Sequence, residues 1–167
     1  MAESKAKSAV ESLNIGSLAN IADKPADLSK EKKAKGPDKG GFYWGLGRRK
    51  SSVARVRIKP GDGKLLINDK ELNDYFRLED DRRAVLAPLK MLEIEKTFDI
   101  FVNVRGGGTT GQAGAVLLGV ARALRTYNET YMEVLRDSGF LTRDSRMVER
   151  KKPGQSGARK RYQFSKR

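Results

Sequence analysis

The sequence contains no cysteine and no histidine. Without cysteine there is neither a disulfide nor a thiolate nucleophile, and without histidine the usual proton shuttle near neutral pH and the commonest metal ligand are missing. No apolar run approaches the roughly 20 residues that a membrane helix needs. The N-terminus has neither the apolar core of a secretory signal nor the arginines of a transit peptide. We therefore expect a soluble cytoplasmic protein that is not an enzyme and that uses neither a metal nor a cofactor.

Positive charge is abundant and unevenly distributed. The 167 residues carry 35 Lys and Arg against 21 Asp and Glu, a formal net charge of +14. Residues 150–167 contain eight of these cations and no acid. They offer almost no apolar surface to offset the entropy of ordering. Such a density of charge indicates a polyanionic partner, for which arginine is well suited. The alternative is a solvated tail without a specific role.

Composition divides the chain into three segments. Residues 1–40 are rich in Ala, Ser and Lys and end in a stretch with Pro and paired Gly, which is typical of a disordered extension, although residues 9–13 can form a short helix. Residues 41–142 are expected to form one globular domain. Residues 143–167 lose periodicity and are expected to form an extended basic tail.

Alternating residue types predict two strands. A turn after the first of them predicts a third strand that pairs with it. Residues 53–59 alternate apolar and cationic side chains, which predicts a half-buried strand with a basic outer face. Residues 98–105 alternate again, with an apolar residue at every second position. A Pro-Gly turn at 60–63 leads into a short strand over 64–68, so we expect a hairpin between 53–59 and 64–68. The inward residues of the two longer strands are Ala54, Val56, Ile58, Phe98, Ile100, Val102 and Val104.

Two helices are expected between these strands. A brief one lies around residues 72–76 and is capped by Asn68 or Asp69. The next begins at the acidic pair 80–81, whose charges suit the helix dipole, and ends or kinks at Pro88.

The clearest helical pattern runs over residues 111–127. Asn128 is expected to cap a last helix over 129–138, which Gly139 ends. Strands and helices in this order predict an α+β fold, with a small sheet on which the helices pack. The apolar stripe of the helix over 111–127 consists of Ala113, Val116, Leu117, Val120, Ala121 and Leu124.

A glycine-rich segment separates the strand over 98–105 from this helix. Residues 106–111 match the G-x-G-x-x-G pattern of dinucleotide sites, but no second strand ending in an acid follows. Gln112 and Ala113 stand where a phosphate-binding loop needs Lys and Ser or Thr. Two interpretations of the glycines remain open: a tight turn that requires positive φ values, or a bare backbone that an anion approaches.

Three motifs together resemble a known family. They are GRRKSSVARVRI at residues 47–58, GGGTTGQAGAVLLGVARAL at 106–124, and the terminal stretch from RDSRMVERKKPG to QFSKR at 143–167. In order and spacing they closely resemble bacterial small-subunit ribosomal protein nine, over about residues 43–167.

The resemblance implies a fold and a function. The family has an α+β domain with a left-handed βαβ crossover, which is an exception to the usual handedness. It lies in the head of the small ribosomal subunit, binds ribosomal RNA and neighbouring ribosomal proteins, and threads its tail through RNA. Its last residues reach the anticodon stem-loop of transfer RNA in the P site. A protein bound to the ribosome in the cytoplasm is therefore expected.

The resemblance also implies which residues contact nucleic acid. Contacts with ribosomal RNA are expected of Arg48, Arg49, Lys50, Arg105, Gly106, Gly107, Gly108, Gln112, Arg143, Arg146, Arg150, Lys151, Lys152, Arg159, Lys160 and Arg161. Contacts with transfer RNA are expected of Ser165, Lys166 and Arg167.

The sequence departs from the family pattern in several places, two of which lie in the tail. The neutral residues 155–157 stand where members commonly carry cations, which predicts a flexible gap in the tail. Tyr162 stands close to where a proline is common and is placed to stack on a base or to lie along a groove.

Two alternative functions are a nucleic-acid-binding regulator that acts off the ribosome and a nucleotide-using enzyme. The sequence offers the first no recognition helix.

Overall fold

The structure is a computed structural model and describes residues 36–165. The predictions for residues 1–35, Lys166 and Arg167 lie outside the described residues. The elements in chain order are β1 (Tyr43–Arg49), β2 (Ser52–Pro60), β3 (Leu65–Ile67), β4 (Lys70–Glu71), α1 (Leu72–Tyr75), α2 (Glu79–Met91), β5 (Phe98–Arg105), α3 (Thr109–Tyr127) and α4 (Tyr131–Asp137).

The strands form one mixed sheet in the order β1-β2-β5-β3-β4. β1 with β2, β2 with β5, and β3 with β4 are antiparallel. β3 and β5 are parallel, and α1 and α2 cross over between them. The predicted α+β class, with helices packed on a small sheet, is confirmed.

The predicted hairpin between residues 53–59 and 64–68 is wrong. β5 lies between β2 and β3, so the turn at 60–63 leads the chain past β5 rather than back onto β2. The carboxylate of Asp99 on β5 accepts hydrogen bonds from the amides of Asp62 (3.0 Å) and Lys64 (3.1 Å), which fixes this turn. Alternation predicts which face of a strand is buried, but it does not identify the neighbouring strand.

The part of the chain that the structure describes contains two other hairpins. β1 and β2 are joined by Lys50 and Ser51, because Arg49 pairs with Ser52. β3 and β4 are joined by Asn68 and Asp69, whose φ values of 48° and 65° are those of a tight two-residue turn. These two residues therefore turn the chain. The expectation that one of them caps α1 is wrong, because α1 begins after Glu71.

The core lies between the sheet and α3. The inward residues predicted for β2 and β5 are all buried, and so is the predicted stripe of α3, except that Leu117 is half-buried. On β1 the inward positions are Gly45 and Gly47. A Cβ on Gly47 would overlap the carbonyl oxygen of Ala115, so these glycines let α3 lie directly on the backbone of β1.

The ends of the helices differ from the prediction in two places. Of the two outcomes expected at Pro88, an end or a kink, the end is wrong, because α2 continues to Met91; Pro88 is itself buried, as is Leu89. α4 is shorter than expected, and Gly139 follows it with a φ of 75°, which confirms the stop. None of the helices within residues 36–165 is long and apolar enough to cross a membrane.

Candidate nucleic-acid interface

The β1–β2 hairpin and the glycine-rich turn meet at one end of the sheet. Val53 pairs with Arg105, so the hairpin loop lies beside the turn that follows β5. The side chain of Ser52 is completely buried, and its hydroxyl donates a hydrogen bond to the carbonyl of Gly106 (3.0 Å). Two segments that are distant in sequence, both predicted to face RNA, are thus joined. We refer to residues 48–52 and 105–112 as the hairpin end.

The three glycines of the turn have different roles. Gly106 and Gly107 have φ values of 76° and 68°, which favour glycine, so the turn interpretation holds for these two. A Cβ on Gly107 would also overlap the Ser52 hydroxyl. Gly108 has a φ of −99°, and a Cβ there would meet nothing within 4 Å. The open backbone that an anion can approach is therefore at Gly108.

Gly108 is also the N-cap residue of α3. No side chain caps this 19-residue helix, so its first amides are left without a helical partner. Amides and helix dipole together favour a negative charge at this point. No strand follows α3 within residues 36–165, so the second parallel strand of a dinucleotide-binding unit is missing from the described part of the chain.

Gln112, which was predicted to face RNA, holds the turn in place. Its side-chain amide donates to the carbonyl of Gly106 (3.1 Å), and its side-chain oxygen accepts from the hydroxyl of Tyr75 (2.8 Å). The amide group of Asn68 lies 3.4 Å from the same hydroxyl and pairs with both backbone groups of Val104. These bonds connect the glycine turn to β3 and α1, so Gln112 positions the backbone of the turn.

Arg49 and Arg146 share one carboxylate. Asp144 accepts hydrogen bonds from the guanidinium groups of Arg49 (3.3 Å) and Arg146 (2.8 Å). The Arg146 side chain, the Arg146 amide and, more weakly, the charge of Arg49 hold the pKa of Asp144 well below its ordinary value. Arg49 also lies against Gly114 of α3, where a Cβ would collide with it. The start of the tail is thereby attached to β1.

The tail beyond this point contains a closed loop. The side chain of Arg159 pairs with Glu149, and the amide of Ser156 donates to the carbonyl of Lys160 (3.0 Å). The amide of Lys152 lies 3.4 Å from the carbonyl of Gly157. The segment 155–157, predicted to be a neutral gap, is the tip of this loop.

The remaining predicted cations are exposed. Within residues 36–165 none of them lies within salt-bridge distance of an acid. These cations are Arg48, Lys50, Arg105, Arg143, Arg150, Lys151, Lys152, Lys160 and Arg161. Ser165 is also exposed.

Sequence reasoning missed the residues that hold these segments together. Ser52, Tyr75 and Asn68 carry no signal of such a role, because their partners are distant in sequence. Asp144 carried one signal, since it is the only acid between Thr142 and Val148. Within the described part of the chain no acidic cluster is suited to hold a metal ion.

Comparison with known protein families identifies a matching family. The family model described as ribosomal protein S9/S16 matches residues 47–167, which is well over half of the chain. The matched range includes the whole hairpin end and the whole tail.

Proposed function

The chain belongs to the ribosomal protein S9/S16 family, and we propose that its hairpin end docks on ribosomal RNA while its tail lies among phosphates. Membership makes it a structural protein of the small ribosomal subunit that binds ribosomal RNA. The resemblance to bacterial small-subunit ribosomal protein nine is therefore confirmed. Which residues bind the RNA, and that the tail reaches transfer RNA, are parts of our proposal.

The observation that carries the docking proposal is the meeting of the two segments at the hairpin end. Arg48, Lys50 and Arg105 are exposed there, beside the open backbone of Gly108. Side chains cannot read the deep major groove of an RNA helix, so RNA helices are recognised mainly through shape and phosphate contacts. A turn that Ser52 and Gln112 hold by hydrogen bonds, with three exposed cations in the segments that meet there, is suited to such contacts.

The anchor at Asp144 supports the proposal for the tail. It fixes the point from which the tail leaves the domain, so a bound domain directs the tail into the surrounding RNA. Five exposed cations without an acidic partner among residues 36–165 follow this point between Arg150 and Arg161. Phosphates that crowd together repel one another, and cations between them reduce that repulsion.

Binding of ribosomal RNA by variants tests the docking surface. The triple variant R48A/K50A/R105A should bind ribosomal RNA of the subunit head more weakly and with a shallower salt dependence, by roughly two to three in the slope of log K against log salt. A matched control is R83A, because Arg83 lies on α2 and pairs with Glu79. If the triple variant binds like R83A, the hairpin end is not the docking surface.

We further propose that Ser165, Lys166 and Arg167 contact transfer RNA in the P site. Charge-assisted contacts of Lys166 and Arg167 with a phosphate contribute on the order of 1–3 kcal/mol each. Deleting both should weaken P-site binding at least about tenfold and leave subunit assembly intact. The variant K5A/K7A removes two charges elsewhere and should bind normally. Failure of the truncated protein to assemble would contradict this role.

A further inference from the structure

The sheet has a second face, opposite α3, which we name the outer face. It consists of the outward side chains of β1, β2 and β5, because side chains alternate along each strand. Trp44 and Leu46 on β1 and Arg55 on β2 are exposed there. No helix within residues 36–165 covers these positions. Most of this face was not included in the predicted RNA contacts.

Charge on the outer face is strongly positive. The single acid among its outward residues is Asp99, whose carboxylate already accepts two backbone hydrogen bonds and lies 3.7 Å from the amine of Lys59. An anionic partner is therefore electrostatically favoured on this face. The cations of the outer face are Arg48, Arg55, Arg57, Lys59 and Arg105.

A recess of about 230 Å³ lies on this face at the junction of β2 and β5. Arg55 pairs across the sheet with Asn103, and Val53 pairs with Arg105, so two guanidinium groups and a side-chain amide border one space. No acid lines the recess, and within the described residues neither arginine forms a salt bridge. Guanidinium groups bind phosphate in a bidentate manner, and asparagine offers both a donor and an acceptor.

An aromatic surface lies on the same face, two residues along the strands from the pair Arg55–Asn103 that borders the recess. Trp44 is 49% exposed, and its indole nitrogen donates to Asp38 (3.3 Å), which holds the ring in position. Trp44 lies opposite Arg57 in the register of β1 with β2. The guanidinium of Arg57 lies 5.4 Å from the ring centre of Phe101 on β5. Such a cation–π contact orients the arginine without neutralising its charge. Aromatic rings beside cations are the usual surface for unpaired bases, which stack on them regardless of sequence.

We propose that the outer face binds an unpaired segment of ribosomal RNA, with a phosphate in the recess between Arg55 and Arg105 and a base on Trp44. Trp44 is two residues along the sheet, about 7 Å, and one strand spacing, about 5 Å, from Arg55, so one short segment reaches both. The charge favours RNA over a protein partner. The inference rests on the proposed function only in taking RNA as the ligand.

Trp44 is the only tryptophan of the chain, so its fluorescence reports on this face alone. The full chain is titrated with an unstructured 12-nucleotide RNA and with ribosomal RNA of the subunit head. We expect a saturable loss of tryptophan emission with both. R55A should weaken the RNA affinity obtained from this quenching about three- to tenfold. It should also lower the slope of log K against log salt by about one. R83A should not change it.

The outcomes separate this inference from the proposed function. Binding of ribosomal RNA without any change in Trp44 emission would overturn the outer-face site and leave docking through the hairpin end intact. Quenching that appears only when neighbouring ribosomal proteins are added would show a protein partner and would also overturn it. If the full chain binds no ribosomal RNA, the proposed function itself fails. Circular dichroism of R55A confirms that a weaker signal does not come from unfolding.

Discussion

The guanidinium of Arg49 lies 3.3 Å from the carboxylate of Asp144, although 95 positions separate the two residues. This pair connects the end of β1 with the beginning of the tail. It also means that Arg49 is engaged within the protein before any RNA arrives. A phosphate that recruits Arg49 must therefore compete with Asp144.

Removing this carboxylate should release the start of the tail. In D144N, Arg49 and Arg146 lose their shared ionic partner, and we expect faster tryptic cleavage after Arg143 and Arg146, because a cleavable segment must first leave the domain surface. The control is D137N, since Asp137 is exposed and forms no side-chain hydrogen bond within the described residues. Equal cleavage rates in the two variants would show that Asp144 does not hold the tail.

Acid should destabilise the folded domain through two carboxylates. The pKa of Asp99 is lowered, first by the hydrogen bond from the Lys64 amide, and that of Asp144 is lowered, first by the Arg146 side chain. A depressed folded-state pKa adds stability above the ordinary value of 3.8, and this stability is lost as the pH falls through the folded-state pKa. Urea midpoints should therefore fall from about pH 5 downward. In D99N the dependence should be smaller; an unchanged pH profile would contradict the role of Asp99.

The close contact between β1 and α3 should not tolerate a side chain on Gly47. In G47A the new methyl group meets the Ala115 carbonyl, and we expect a loss of about 3 kcal/mol in the free energy of unfolding. Urea denaturation measures it. The control G36A places a methyl group in open space and should stay within about 0.5 kcal/mol of the parent. If G47A is as stable as G36A, the backbones are not in contact.

The inward glycines of β1 explain why this strand was not predicted from the sequence. Alternation predicted β2 and β5 because their inward residues are apolar, and the apolar stripe predicted α3. β1 was missed because its inward positions are Gly45 and Gly47, which do not register as apolar. The pairing of β3 with β5 depends on contacts across the sheet that no local pattern records. The buried faces of β2 and β5 were therefore predictable, whereas the partners of the strands were not.

For the interface, the sequence identified the charged and glycine-rich segments but not their arrangement. The family motifs pointed to Arg48–Lys50 and to the glycine turn as separate sites. That the buried hydroxyl of Ser52 joins them depends on the register of β2 with β5. Likewise, Arg49 and Arg146 were predicted to contact ribosomal RNA, and their common bond to Asp144 became visible only in the folded chain.

The salt dependence of RNA binding tests the role of the tail most directly. Binding of ribosomal RNA from the subunit head is measured over a range of KCl concentrations, for the full chain and for a chain that ends at Glu149. If the six cations from Arg150 to Arg161 each neutralise a phosphate, the truncated chain should show a slope of log K against log salt that is shallower by about four to five. Equal slopes for the two chains would show that the tail does not lie among phosphates.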